Sequence, residues 1–487
     1  MSPKKLRSTR FWKTTAASLL SMTLLIPAAS PVWAAEAAST ATADQLKEVL
    51  DLLEKNHVSA PSAGKLAETG IKAMVGSLQD PYTQYFSPEE LKGFENSVEN
   101  QYVGIGVRVG EEPDAVYVAE VFDGSPAKEA GVQVGDKIIE VEGVSVTGKK
   151  VNDVTEKILG EEGTVVSIRV LRGEETKDLK VKRQRIQLPT VVRKLFEPGI
   201  GYIQIASFSS DSDEKLAQEL NALKGQGIKS LVVDLRDNPG GLLDSALNMV
   251  KLFVKEGVLI HTRDRNNVDD PVSFKDGTTQ PFPIYFLVNE YSASASEVLT
   301  GALQDYGVIK VIGTKTYGKG SVQTLYPLKA GGALKVTIEE YLTPKLRKVN
   351  KVGLEPDRKV EGDLAQLVTA LRMAGSESFE LTFDRKVLTL NGASIVEPFD
   401  VIRQNGKVFV PARSTAALAG AEVTWNDETR SVEIVSEQGK AVYGSDAAEY
   451  LNQNGTGFVA IDSIAEVFGN VKWQDDGSKL TISVKKQ

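Results

Sequence analysis

The spacing of hydrophobic residues divides the chain into stretches of different secondary structure. Residues 41–98 place apolar side chains three or four positions apart, which predicts two or three short helices. Residues 102–186 hold short β-rich runs broken by glycine, with one helix predicted over residues 151–159. Residues 199–360 alternate apolar strands with helices, so we expect an α/β layer with a largely parallel sheet.

Residues 380–487 contain an internal repeat. The run Phe409-Val-Pro-Ala-Arg-Ser414 aligns with Phe458-Val-Ala-Ile-Asp-Ser463, and both copies continue with a glycine, a tryptophan and an isoleucine at matching distances. The pattern predicts two copies of a strand–helix–hairpin unit. It favours core positions for Trp425 and Trp473, with a ligand-binding surface as the alternative. Because neither copy holds a plausible catalytic group, a chain ending near Ser376 is expected to fold and keep its activity.

Length and composition describe a multidomain globular protein. The 487 residues are enough for about three domains, and 41% apolar with 25% charged residues is ordinary for such proteins. The absence of cysteine excludes disulfides and thiolate metal sites. The predicted divisions are a signal peptide, a helical region, a glycine-rich β module, an α/β core and the repeat domain, over residues 1–34, 41–98, 102–186, 187–375 and 380–487.

The N-terminus has the pattern of an export signal. Five basic residues precede an apolar stretch over residues 14–29, and Val32-Trp-Ala34 supplies small residues for a signal peptidase. An uncleaved anchor is the alternative, since residues 14–34 are about long enough to span a bilayer. Both alternatives place the rest of the chain outside the cytoplasm. Without residues 1–34 the net charge falls from −8 to −13, which argues against nucleic-acid binding.

The β-rich module resembles a PDZ domain. The resemblance lies in Gly124-Ser-Pro-Ala-Lys-Glu-Ala-Gly131 followed by Val134-Gly-Asp136 and a strand. In PDZ domains a peptide adds as an extra strand, and backbone N–H groups hold its terminal carboxylate. The resemblance puts Gly104, Ile105 and Gly106 at that loop, although the glycines alone also fit a β-bulge. Arg172 is a candidate for the same contact or for docking the module to the core, with a surface charge as the alternative.

A serine, a lysine and a glutamine recur in the α/β region. Ser294 stands between a predicted strand and helix, and Lys319 and Gln323 belong to Tyr317-Gly-Lys319-Gly-Ser-Val-Gln323. The chain has no cysteine and only His57 and His261, so a cysteine protease is excluded and a Ser-His-Asp triad is hard to build. This pattern predicts a Ser-Lys hydrolase.

Such a site makes definite demands on its residues. Burial must lower the pKa of Lys319 from about 10.4 before its amine can act as a base. Gln323 can orient that amine without adding a charge, and the N–H groups of Gly240, Gly241 and Ala295 can stabilise an oxyanion. Taken singly, these residues also fit a helix cap, an ordinary turn and a solvated charge.

The same lysine also lies in an approximate phosphate-binding loop. Gly313-Thr-Lys-Thr-Tyr-Gly318-Lys319 has the glycine and lysine spacing, but Gly320 stands where the motif requires serine or threonine. A β-like run follows instead of a helix. The sequence therefore argues against nucleotide binding.

Taken together, the motifs resemble the carboxyl-terminal processing, or tail-specific, proteases. The resemblance adds Asp80-Pro-Tyr-Thr83 and Asp234-Leu-Arg-Asp-Asn-Pro-Gly-Gly241 to the motifs above. It implies that Ser294 is the nucleophile, Lys319 the base and Gln323 its orienting group. One departure is Lys345-Leu-Arg347, where the family usually has glycine and a small polar residue, so side-chain preference near the scissile bond is open.

The resemblance also implies a fold and a function. The fold class is multidomain α/β and β, with a crotonase-like or ClpP-like α/β protease core, an inserted PDZ domain and a C-terminal α+β repeat domain. The repeats resemble the N-terminal domain of copper amine oxidases, but no metal and no other cofactor is expected.

We expect an exported serine endopeptidase that binds substrate C-termini and cleaves through an acyl-enzyme, outside the cytoplasm. The alternative is a non-catalytic PDZ scaffold of the cell envelope. The expected partners are proteins or peptides with accessible C-termini. Association with the membrane, the cell wall or a second copy stays open.

Overall fold

The computed structural model describes residues 32–112, 114–384 and 387–485. Most of the predicted signal segment, residues 1–31, therefore lies outside the described residues. The described residues divide between Gln79 and Asp80 into two compact units.

The first unit contains two helices, α1 (Val32–Asn56) and α2 (Ala63–Gly76). The Ser62 hydroxyl accepts a hydrogen bond from the Lys65 N–H group, which caps α2 at its first turn. Among the residues that the structure describes, no helix combines the length and apolar character needed to cross a membrane.

The second unit opens with strand β1 (Gln84–Phe86) and helix α3 (Pro88–Val98). Ser87 and Glu90 form a capping box that fixes the start of α3. The helices α1, α2 and α3 confirm that residues 41–98 are mainly helical, although α1 is longer than expected and begins within the predicted signal segment.

The PDZ-like module is a sheet with two short helices. Its strands have the order β3-β4-β5-β7-β8, with β6 paired to β5. Before and after this sheet, β2 and β9 pair with each other in antiparallel register, so the module joins the core through a two-stranded ribbon. The elements are β2 (Gln101–Gly104), β3 (Val107–Glu111), β4 (Val116–Val121), α4 (Pro126–Glu129), β5 (Lys137–Val141), β6 (Val144–Ser145), α5 (Val151–Ile158), β7 (Val165–Arg172), β8 (Glu175–Lys182) and β9 (Gln184–Gln187).

The α/β core is built on a six-stranded sheet of order β10-β11-β12-β15-β16-β19, in which only the β10–β11 pair is antiparallel. A second, antiparallel sheet has the order β1-β18-β13-β14, with β17 paired to β18. The strands are β10 (Val191–Phe196), β11 (Ile200–Ile205), β12 (Ser230–Asp234), β13 (Gly257–Arg263), β14 (Asp269–Phe274), β15 (Ile284–Val288), β16 (Lys310–Gly313), β17 (Ser321–Pro327), β18 (Ala333–Leu342) and β19 (Arg358–Lys359). The helices are α6 (Ser212–Gly225), α7 (Leu243–Val250), α8 (Ala295–Asp305) and α9 (Asp363–Met373).

The C-terminal domain has the predicted strand–helix–hairpin unit twice, as β24–α10–β25–β26 and β29–α11–β30–β31. The expected α+β character is only partly right, because the domain is mostly β, with two short helices. Its elements are β20 (Ser378–Asp384), β21 (Val387–Leu390), β22 (Ala393–Ile395), β23 (Ile402–Gln404), β24 (Lys407–Pro411), α10 (Ala412–Ala419), β25 (Glu422–Asn426), β26 (Ser431–Ser436), β27 (Gly439–Gly444), β28 (Tyr450–Gln453), β29 (Thr456–Ala460), α11 (Ile461–Val467), β30 (Val471–Asp475) and β31 (Lys479–Lys485).

The C-terminal domain shares a hydrophobic core with the α/β region. One cluster of buried side chains runs from Val232 and Leu287 of the parallel sheet, through Leu367 of α9, to Val410 and Ile464 of the repeats. A chain ending near Ser376 would expose this face of α9 to water. The prediction that such a chain folds independently is therefore not supported.

The two repeated tryptophans differ in their burial. Trp473 packs against the shared core, as predicted. Trp425 is 48% exposed, so its expected core position is wrong. It lies on β25, an edge strand whose residues are mostly exposed.

Candidate active site

Ser294 stands at the sharp turn between β15 and α8. Its backbone angles are φ 55° and ψ −115°, a combination that costs a residue with a side chain about 1–3 kcal/mol. The neighbours Ala293 and Ala295 are buried, while Ser294 itself is partly exposed. A strained serine between a strand and a helix is the backbone geometry of known nucleophile turns.

The glycine turn after β12 lies directly against Ser294. A Cβ atom added at Gly240 would be 2.8 Å from the Ser294 Cβ and 2.7 Å from the Ala293 carbonyl oxygen. The Asn238 carbonyl accepts hydrogen bonds from the Ala293 N–H group at 3.0 Å and the Ser296 hydroxyl at 2.9 Å. The structure therefore brings the predicted nucleophile and the predicted oxyanion turn together, and it leaves no room for a side chain at Gly240.

The predicted oxyanion donors are not equivalent. The Gly240 N–H group donates to the Asn238 Oδ1 at 2.9 Å, so it is used within the turn. Within the described part of the chain, the N–H groups of Gly241 and Ala295 have no recorded acceptor. Gly241 is also exposed. The geometry thus favours Gly241 and Ala295 as the two donors.

Glu297 connects the serine turn to the lysine segment. Its carboxylate is fully buried and accepts hydrogen bonds from the backbone N–H groups of Ser294 (3.0 Å), Gly318 (2.7 Å) and Lys319 (2.8 Å), and from the Thr316 hydroxyl (2.6 Å). The pKa of Glu297 is raised, because the effect of burial exceeds that of the four hydrogen bonds, which lower it. Sequence reasoning gave this residue no role, although its Ser-x-x-Glu spacing at the start of α8 is a capping signal.

The surroundings of Lys319 favour the neutral amine, the form that can act as a general base. Burial lowers its pKa, and the nearby positive charge of Lys335 lowers it further, whereas Glu297 and Asp80 oppose both effects. The direction of the shift is the one predicted from the sequence. The Lys319 Nζ lies 5.1 Å from the centre of the Tyr82 ring, which covers it on one side.

Gln323 has other partners than the lysine. Its Nε2 donates to the Ser321 hydroxyl at 2.9 Å and approaches the Thr337 hydroxyl at 3.4 Å. Across the described residues, no hydrogen bond is recorded from the Lys319 Nζ to Ser294 or to Gln323. The three predicted catalytic side chains lie on adjoining segments without a hydrogen-bonded chain between them.

Two tyrosines were missed by sequence reasoning. Tyr82 belongs to the Asp80-Pro-Tyr-Thr83 turn, where the Asp80 carboxylate accepts from the Tyr82 N–H group at 3.0 Å and from the Thr83 hydroxyl at 2.6 Å. Tyr341 is buried, and its hydroxyl contacts the carbonyl oxygens of Lys319 at 2.9 Å and Ser294 at 3.2 Å. The motif containing Tyr82 was visible in the sequence, but its proximity to the lysine was not.

The predicted carboxylate-binding loop of the PDZ-like module has two necessary glycines. Gly106 has φ +83°, and a Cβ there would lie 2.3 Å from the Ser125 Cβ. At Gly104 an added Cβ would lie 2.7 Å from the Tyr102 ring. The Ile105 side chain is buried in the module, and its carbonyl accepts from the Ala127 N–H group at 2.9 Å.

Arg172 is held inside the PDZ-like module. Its guanidinium donates to both carboxylate oxygens of buried Asp136, at 2.6 and 2.7 Å, and to the Gly131 carbonyl at 2.8 Å. These hydrogen-bond partners of Arg172 all lie within the PDZ-like module. Its role here is to fasten β7 to the turn before β5.

The segment after Lys319 continues into β17, as the sequence predicted, so the helix that a phosphate-binding loop needs does not follow it.

Family models match three parts of the chain. Residues 199–360 match peptidase family S41, residues 103–182 match the PDZ domain, and residues 365–434 match the copper amine oxidase N-terminal domain. The last match begins within α9, which agrees with the core that this helix shares with the repeats.

Curated relatives and a solved structure extend these matches. A probable CtpA-like serine protease of Staphylococcus aureus (strain bovine RF122 / ET3-1) is 36% identical over 324 residues, which cover 66% of this chain and 65% of the relative. The corresponding protein of Staphylococcus haemolyticus (strain JCSC1435) is 35% identical over 322 residues, again 66% and 65% of the two chains.

The photosystem II D1 C-terminal processing protease is 28% identical, with a TM-score of 0.42 over 68% of this chain and 96% of that one. The chain thus spans about 65% of the length of the curated relatives it matches. The resemblance to carboxyl-terminal processing proteases is confirmed, because residues 199–360 match peptidase family S41 and residues 103–182, before them, match the PDZ domain.

Proposed function

We propose that the protein is a serine endopeptidase that binds the C-terminal tail of a protein substrate through its PDZ domain and cleaves the chain upstream. The observation that carries this proposal is the strained Ser294 turn, packed against the Gly240 turn and tied to the Lys319 segment by buried Glu297. The S41 match and the names of the relatives support it.

The proposed reaction uses Ser294 as nucleophile and neutral Lys319 as base. The Ser294 hydroxyl oxygen bonds to the scissile carbonyl carbon while its proton passes to the Lys319 amine. The N–H groups of Gly241 and Ala295 stabilise the resulting oxyanion. When the tetrahedral intermediate collapses, the C–N bond breaks, and the Lys319 ammonium returns the proton to the leaving amine.

The second half of the reaction releases the N-terminal product. Water attacks the acyl-enzyme ester, Lys319 accepts its proton, and the Ser294 oxygen leaves and is protonated again. Gln323 orients the amine when its Oε1 accepts a hydrogen bond from a Lys319 N–H, which leaves the nitrogen lone pair free for the Ser294 proton. This contact, and a hydrogen bond between Lys319 and Ser294, are steps that substrate binding has to bring about.

The finer features of fold and location are part of the same proposal. We propose a crotonase-like or ClpP-like core, supported by the parallel sheet with its helices. We also propose export to the outer face of the membrane or beyond, supported by the basic and apolar pattern of residues 1–34. Attachment to the membrane or cell wall, and self-association, are left to experiment.

Digestion of an unstructured protein tests the function directly. The full chain is incubated with casein, and the matched Ser294→Ala protein serves as the control. Cleavage by the wild type alone supports the peptidase. Binding of free C-terminal peptides without cleavage by either protein would instead support the non-catalytic PDZ scaffold.

A further inference from the structure

An acidic residue of the C-terminal domain reaches the loop that carries the oxyanion turn. Glu397 follows β22, and its side chain is only 8% exposed. One carboxylate oxygen accepts a hydrogen bond from the Arg236 Nη2 at 2.6 Å, although the residues are 161 positions apart in sequence. Arg236 lies four residues before Gly240.

Arg236 is the centre of a buried network of charges. Its side chain is 7% exposed and also donates to both oxygens of fully buried Asp234, at 3.0 and 2.5 Å. The Nη1 donates to the Asp363 carbonyl at the start of α9, at 2.7 Å. Removal of one partner from such a network leaves another charge buried and unpaired, so each member fixes the position of the others.

The two residues after Arg236, Asp237 and Asn238, are hydrogen-bonded to the segment that carries Ser294. Asp237 has φ +59°, and its N–H group and carboxylate both bond to the Asn289 side chain, at 3.0 and 2.9 Å. Asn238 then holds the residues on both sides of Ser294 through its carbonyl oxygen. The Arg236 network and the turn that presents the Gly241 N–H group therefore belong to one short segment, residues 236–241.

We propose that Glu397 is a positioning residue for the oxyanion turn, so that the C-terminal domain completes the peptidase site instead of being a separable appendage. By holding Arg236, Glu397 keeps residues 236–241 in the arrangement that aims the Gly241 N–H group at the reacting carbonyl. The inference rests on the proposed peptidase function for its kinetic readout. A simple domain anchor would not predict an effect on the turnover step.

The test uses the full chain with Glu397→Gln, which keeps the shape and one acceptor but removes the charge. Glu422→Gln is the matched control, because Glu422 also joins the C-terminal domain to the peptidase domain through Arg358, at 2.9 Å, but on the exposed surface. For each protein, kcat and KM are measured on an unstructured peptide. Amide hydrogen exchange is measured over residues 237–242.

We expect Glu397→Gln to lower kcat tenfold or more with KM changed less than threefold, and to speed exchange over residues 237–242. Glu422→Gln should change neither. Wild-type kcat in Glu397→Gln, an equal loss in Glu422→Gln, or global unfolding of Glu397→Gln would each overturn the inference. If the wild type cleaves nothing, the proposed function fails, while selectively faster exchange in Glu397→Gln would still support the positioning role.

Discussion

Replacement of Glu297 by glutamine tests whether one buried carboxylate assembles the site. Its two oxygens each accept two hydrogen bonds, one oxygen from Thr316 and Gly318 and the other from Lys319 and Ser294. Glutamine keeps one oxygen and puts an NH2 group in place of the other. In one orientation the NH2 group faces Thr316 and Gly318, and only the Thr316 hydroxyl can rotate to accept a hydrogen bond. In the other orientation it faces the N–H groups of Lys319 and Ser294, which cannot accept one.

The cost follows from the number of donors left unsatisfied. An orphaned buried donor costs about 1–3 kcal/mol, so one or two orphaned donors predict a local destabilisation of about 1–6 kcal/mol. Since 1.4 kcal/mol is tenfold in an equilibrium constant, about 2 kcal/mol corresponds to roughly a thirtyfold loss of protection against hydrogen exchange. We expect that loss at the amides of Ser294, Gly318 or Lys319.

The assay combines amide exchange at these residues with kcat on a peptide substrate. Glu290→Gln is the matched control, because Glu290 accepts a hydrogen bond from the Thr314 hydroxyl at 2.9 Å but is exposed. We expect Glu297→Gln to lower kcat more than tenfold and Glu290→Gln to leave it unchanged. Protection and kcat within twofold of wild type in Glu297→Gln would refute the view that this carboxylate holds the site together.

The other predictions concern the base, the turn and the substrate tail. Because the pKa of Lys319 is lowered, kcat/KM should rise as the amine deprotonates, at a pH below the ordinary pKa of lysine. Lys319→Arg should be inactive. In Lys335→Met this rise should move to higher pH, because a positive charge that lowers the pKa of Lys319 is lost. Gly240→Ala should abolish cleavage, because the new Cβ would clash with the Ala293 carbonyl, while the affinity for an unstructured peptide should stay unchanged. Full cleavage activity would contradict this packing. Amidation of a substrate C-terminus should weaken binding tenfold or more if the loop at Gly104 holds a carboxylate, since charge-assisted hydrogen bonds are worth about 1.5–3 kcal/mol each; equal cleavage of both peptides would exclude that role.

Local patterns predicted the framework of the site well. The Ser294 turn was predicted because a buried strand, small residues and a helix follow one another in the sequence, and each is a short-range signal. The strand–helix–hairpin repeats were predicted for the same reason. What these patterns could not give is the distance between segments that are far apart in the chain.

The errors share that physical cause. Arg236 and Glu397 lie in different domains and belong to no repeating pattern of residues, so nothing in the sequence marks them as a buried pair. The C-terminal domain was expected to be separable because it lacks catalytic groups. Whether the rest of the chain folds without it depends on the hydrophobic core that the two parts share through α9. Trp425 was assigned to the core together with Trp473, although both lie on edge strands and recurrence does not determine which face of a strand packs inward.

The hydrogen bonds around the site indicate what substrate binding must change. The Gln323 Nε2 donates to Ser321, and the Gly240 N–H group donates to Asn238, so both donors are satisfied within the chain before any substrate arrives. In the proposed reaction the Gln323 Oε1 accepts from the Lys319 amine, a contact that does not require the bond to Ser321 to break. A substrate can shift such an equilibrium only through contacts that it makes better in the active arrangement. In the proposed reaction, the contact of the peptide carbonyl with the Gly241 and Ala295 N–H groups is one such contact, because it forms only when a scissile bond lies beside Ser294.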